Sequence, residues 1–76
     1  MRVFTNEEIK QTRKYILVMS QQEFAEVVGI SQQLVSFIEK GVTPVSTRTD
    51  EKVKRAVFEY IDEETLFNLL DGELEL

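Results

Sequence analysis

Seventy-six residues with a formal net charge of −5, no cysteine and no histidine leave room for one small domain. They exclude disulfides, thiolate or imidazole metal sites and catalysis built on His or Cys. No apolar run approaches the roughly 20 residues needed to cross a bilayer, and the N-terminus turns polar within six residues, so the sequence points to a cytoplasmic protein with no membrane partner.

The charge is uneven along the chain. Residues 1–58 carry all nine Lys and Arg against seven Asp and Glu, whereas residues 59–76 carry seven carboxylates and no base. The front suits approach to a phosphate backbone, and the acidic back is expected to face away from it.

Helix starts are marked by caps. Thr5 with Glu8 has the Ser/Thr-x-x-Glu form in which two orphan backbone donors are satisfied reciprocally, and Ile9, Thr12 and Ile16 follow at helical spacing. Ser20 with Glu23 opens "QQEFAEVV", with Phe24, Ala25 and Val28 on one face and Gly29 as a left-handed stop. Ser31 caps a third helix whose Val35 and Ile38 continue the apolar stripe to Gly41. After the loop "VTPVST", Ser46 or Thr47 starts "RTDEKVKRAVFEYI", with Val53, Ala56, Val57 and Tyr60 or Ile61 inward. Lys10, Arg13 and Lys14, like Lys52, Lys54 and Arg55, are expected to solvate their helices, with Asp50 and Lys54 an i,i+4 pair. Asp62 caps a last segment, "EETLFNLL", which Asp71-Gly72 is expected to end; the "ELEL" alternation is too short for a strand. The pattern predicts an all-α, compact, four- to five-helix domain over residues 1–76, with an acidic C-terminal helix and tail at 62–76.

Two short helices joined through one glycine, the second closed by another, have the form of a helix-turn-helix at residues 20–40. The stretch "MSQQEFAEVVGISQQLVSFIEKG" resembles the Cro/CI-type helix-turn-helix proteins of phage and bacteria, the XRE family. Its Ser-Gln, Glu-Phe-Ala, Gly-Ile-Ser and Val-Ser-x-Ile-Glu-Lys-Gly elements carry the likeness, which is dense over residues 19–41 and looser from Ile9 to Ile61. The resemblance implies a lambda-repressor-like fold and operator DNA as partner; with no histidine, cysteine, phosphate-binding loop or recognisable carboxylate pair, the residues themselves point to no cofactor and no enzymatic activity. It implies that Gln21 contacts a phosphate and braces the next helix. Gln32 and Gln33 would sit over the major groove, where a glutamine amide bonds adenine N6 and N7 together. Ser36 would reach a base or phosphate, and Lys40 with the loop through Thr43 would lie near the backbone, while Ser31 is a cap first and a ligand second. The same glutamines also suit a solvated first turn.

Leu34 and Phe37 depart from the polar or basic residues usual there. They read as contacts to thymine methyl groups, as extra core, or as anchors for a protein partner. From Ser20 to Thr47 there is one basic residue, Lys40, against Glu23, Glu26 and Glu39, a thin electrostatic footprint for DNA. Val18 stands where the family commonly has a Gly before the first motif helix. The tail residues Leu66, Phe67, Leu69 and Leu70 divide between closing the core and a homodimer interface.

Two functions follow. One is a small Cro/CI-type transcriptional regulator of phage or mobile-element type, placing helix 31–40 in an operator major groove. The other is an antirepressor, like the small phage modulators of repression, which would cover a partner repressor with Leu34, Phe37 and Glu39. An antitoxin using the tail to bind its toxin is a third fit.

Overall fold

Every helix starts where the sequence supplies a cap. In a computed structural model, which describes residues 2–73, the chain forms α1 (Asn6–Gln11), α2 (Gln21–Val28), α3 (Gln32–Glu39), α4 (Thr47–Val57) and α5 (Glu63–Asn68). Their N-caps are Thr5, Ser20, Ser31, Ser46 and Asp62, each accepting a hydrogen bond from a first-turn amide. Such caps are worth about 1 kcal/mol each. Thr5–Glu8 and Ser20–Glu23 are complete capping boxes. Hydrogen bonds from Ser20 hold the Glu23 carboxyl below its usual range, and those from Thr65 do the same for Asp62. Among the described residues there is no strand, and no helix is long and apolar enough to cross a membrane.

Four of the five caps are flanked by an apolar pair, one residue before the cap and one four residues into the helix. These are Phe4 and Ile9, Met19 and Phe24, Ile30 and Val35, and Ile61 and Leu66, and all eight belong to the core or pack against it. The arrangement is that of a hydrophobic staple, which fixes the angle at which the chain enters each helix. The core itself joins Phe4, Ile9, Phe24, Val28, Val35, Ile38, Val53, Val57 and Leu66. The Cα radius of gyration is 11.2 Å, against about 11 Å for a well-packed chain of this length.

The first helix is not the uniform one that its sequence predicts. Beyond Gln11 it widens into a π-helical stretch, Thr12–Ile16, in which the Leu17 amide bonds the Thr12 carbonyl at 2.9 Å. Thr12 is buried there with no partner for its hydroxyl among the described residues, a cost of about 1–3 kcal/mol. The chain then turns through Val18, which is 77% exposed and whose φ of 54° is left-handed. A β-branched residue is strained in that region. The turn is held on both sides by Arg13, whose carbonyl accepts from the Met19 amide at 2.9 Å and whose guanidinium donates to the Met19 carbonyl at 2.8 Å. Val18→Gly is therefore expected to stabilise the fold. Removing about 1–2 kcal/mol of left-handed strain outweighs the extra freedom of glycine in the unfolded chain. The expected net gain of about 1 kcal/mol raises the melting temperature by roughly 4–8 °C; a circular-dichroism melt with no rise would remove strain from the account.

Two further expectations are corrected, and one alternative left open is decided. Lys54 does not solvate α4: it is buried, paired with Asp50 at 2.8 Å, and donates to the Arg2 carbonyl. The polar head finds both an anion and a carbonyl there, which a solvated position does not offer. Asp71-Gly72 does not end the last helix, because a second π-helical stretch, Leu69–Glu73, runs through it. Leu66 lies fully buried at the centre of the core, so it is unavailable to an interface, while Phe67, Leu69 and Leu70 are half-buried. Phe67 lies against Phe4 with ring centroids 5.3 Å apart. Of the alternatives at the end of α4, Ile61 packs on the core and Tyr60 is exposed. The "ELEL" segment lies outside the described residues from Leu74 on.

Candidate nucleic-acid interface

Gly29 ends α2 with a φ of 85°, a conformation cheap only without a Cβ, and the chain passes through Ile30 to the Ser31 cap of α3. Val35 and Ile38 face the core. At 3.6 residues per turn, Gln33, Ser36 and Lys40 then lie on the opposite side, with Gln32 and Phe37 flanking them. Ser31, Gln32, Gln33 and Lys40 are exposed, Ser36 is half-buried and Phe37 is 38% exposed. Six of the residues expected at DNA thus share one continuous outer surface.

The seventh, Gln21, is turned aside. Its amide nitrogen donates to Glu39 Oε1 at 3.0 Å, so it braces α3 as expected, with that nitrogen occupied. Arg13 completes the brace, with Nε 2.6 Å from Glu39 Oε2 and Nη2 2.8 Å from Oε1. The side chains of Arg13 and Glu39 are only 12% and 5% exposed. Burial raises the Glu39 carboxyl pKa, but hydrogen bonds from Arg13 and Gln21 and the charges of Arg13 and Lys10 outweigh it, leaving a net lowering. Glu39 is therefore not on a partner-facing surface, and Arg13 is not part of a solvated face; each is consumed by the other.

Leu34 and Phe37 part company as well. Leu34 is half-buried and packs on the core, whereas Phe37 stays at the surface. Beyond the helix Gly41 turns the chain with a φ of 76°, and the amides of Val42 and Thr43 donate back to the Phe37 carbonyl at 2.9 and 3.3 Å. That return brings the Val42 backbone to the Phe37 carbonyl, and Val42 is itself 68% exposed. Asn6 fastens the same corner, donating to the carbonyls of Ile38 at 3.0 Å and Thr43 at 2.7 Å.

Sequence reasoning passed over Phe4, Asn6 and Val42. An apolar residue just before a capping box is a usable signal for Phe4. Asn6 carries none, since its partners lie 32 and 37 residues away. The electrostatics remain sparse: with Arg13 neutralised by Glu39, Lys40 is the base on the outer side of α3, and Glu23 and Glu26 are exposed on α2. Among the described residues no cluster of acidic side chains could hold a metal.

A capped, braced helix presented outward, joined to its predecessor through one left-handed glycine, defines a helix-turn-helix module. A helix-turn-helix family model matches residues 9–52, more than half of the chain, and the chain belongs to that family, the XRE-type helix-turn-helix proteins. This is a family of DNA-binding regulators, and DNA is the partner it implies. The match ends inside α4, so α5 and the acidic segment lie beyond it. No curated protein and no solved structure matches the chain.

Proposed function

We propose that the protein is a transcriptional regulator of phage or mobile-element type that lays α3 into an operator major groove and acts by occluding a promoter. The observation that carries this is the outer surface of α3, where Gln33 and Phe37 stand one turn apart with Gln32, Ser36 and Lys40 around them. In this reading the Gln33 amide takes adenine N6 and N7 while the Phe37 ring lies on a neighbouring thymine methyl, and Gln32 reads or positions at the groove edge. Residues 1–76 act as one domain, and Ser31 and Lys40 supply phosphate contacts.

The test is selection from a randomised duplex pool, followed by affinities of wild type and Gln33→Ala over a salt series. Gln33→Ala is expected to relax preference at one A·T pair by about 1–3 kcal/mol. The salt slope is expected to be shallow, each phosphate contributing about 0.9 to it, because the surface holds so few bases. Failure of the folded protein to select any sequence at low salt would sink the reading.

The antirepressor alternative rests on one specific observation, the exposed apolar pair Phe37 and Val42 on a surface with one cation. Such a pair suits the centre of a protein interface. In that case Phe37→Ala abolishes binding to a basic repressor head while DNA selection fails with wild type and variant alike.

A further inference from the structure

The C-terminal end of α2 and the middle of α4 leave an open groove of about 340 Å³ between them. Small-molecule sites run from about 300 to 1,000 Å³, so this one suits a small ligand. Helical spacing makes its α4 wall: Arg55, Ala56 and Glu59 follow Lys52 by three, four and seven residues and share one side with it. Val27, Val28 and Gly29 make the α2 wall. Val28 and Ala56 are buried and Val27 is 40% exposed, so the floor is apolar. Gly29 keeps it open, because no atom beyond its chain neighbours lies within 4 Å of where a Cβ would stand.

Charge is distributed unevenly along the rim. Arg55 is exposed, Lys52 is half-buried, and neither makes an ion pair among the described residues. Glu59, one turn beyond Arg55, carries the opposite sign at the other end. A polyanion laid along the groove, whether an acidic peptide or a nucleic-acid backbone, meets Glu59 and loses there what it gains at Lys52 and Arg55. A molecule with one anionic head and an apolar body meets no such conflict. Its head takes both cations at the edge of an apolar wall, where charges are less screened than in open water. Its body covers Val27, Val28 and Ala56.

We propose that this groove binds a small monoanionic amphiphile, a carboxylate carried on an aliphatic chain. The occupant lies against Gly29, which also makes the turn from α2 toward the Ser31 cap of α3. None of the groove residues belongs to the outer surface of α3, and the inference is independent of what that surface binds.

Titration of the isotope-labelled chain with octanoate, followed through its amide chemical shifts, tests this. Octanoate is expected to bind saturably with a dissociation constant of a few millimolar, the affinity ordinary for a ligand of about ten heavy atoms. The shifts are expected to centre on Val27–Gly29 and Lys52–Ala56. Butyrate keeps the head without the chain and octan-1-ol the chain without the head, and each is expected to bind more weakly. Lys52→Glu with Arg55→Glu is expected to weaken octanoate binding roughly tenfold, and Val27→Asp to weaken it as well. Poly-glutamate is expected to leave these amides in place. The proposal is overturned by no saturable shift, by shifts centred on Phe37 and Val42 instead, or by binding that neither the double variant nor Val27→Asp weakens. Octan-1-ol or butyrate binding as tightly as octanoate overturns it too, as does poly-glutamate moving the same amides further. Should circular dichroism show the double variant unfolded, Arg55→Glu alone decides, with a weakening of roughly threefold expected.

Discussion

Arg13→Met is expected to cost about 3–5 kcal/mol, because it leaves the Glu39 carboxylate buried without its cation. A domain of this length has roughly 4–11 kcal/mol in total, so the variant should lose a large share of its stability. Urea melts of wild type and variant measure the loss. The double replacement Arg13→Met with Glu39→Leu is expected to recover most of it, since an apolar pair of similar volume has no charge to desolvate. A double variant as unstable as the single would mean that Arg13 matters for its Met19 contact rather than for Glu39.

The pH dependence gives the same result a sign. In the wild type the Glu39 carboxyl lies below its usual value of 4.5. Its contribution is thus fully present above pH 4.5 and is lost as pH falls below that value. In Arg13→Met, burial, the largest influence on this carboxyl, loses its main opponent and the folded-state value rises. A carboxyl raised on folding gains stability as pH falls toward 4.5. The gap between wild type and variant should therefore narrow on acidification from pH 7. A gap that stays constant would show that Glu39 is not the group left unpaired.

This brace also shows how far the sequence could be read. Caps are decided within four residues, so Thr5, Ser20, Ser31, Ser46 and Asp62 were legible, as was the left-handed need at Gly29. The outward side of α3 was legible because Val35 and Ile38 fix which face is buried. Long-range pairing was not. Arg13 and Glu39 are 26 residues apart, and nothing local separates an arginine that will meet a carboxylate from one that stays in water. Leu34 failed differently: it stands at the boundary between faces, where a small change of packing decides exposure. Val18 was legible as a substitution for a glycine, and its φ of 54° is what that exchange costs the backbone.

The second large effect is expected at Asp50, where one carboxylate organises the opposite end of the molecule. Its Oδ1 accepts from the Phe4 amide at 2.7 Å and its Oδ2 pairs with Lys54 at 2.8 Å, while Lys54 reaches on to the Arg2 carbonyl. Asp50→Ala leaves a buried ammonium without its counter-charge, though still on the Arg2 carbonyl, and a buried amide without its acceptor, and a loss of about 3–5 kcal/mol is expected. The N-terminal arm should come free with it, because Phe4 is held by that bond and by Phe67. Arg2 links the arm to Glu8 and Asp71 and lies 4.6 Å over the Phe67 ring, so the end of α5 should loosen too. Hydrogen exchange is expected to speed up at Phe4 and at Leu69–Leu70 more than in α3. Arg2→Ala makes the contrast: its ion pairs are exposed, so about 1 kcal/mol or less is expected from them. Equal effects from the two substitutions would place the anchor in the surface pairs rather than in the buried carboxylate.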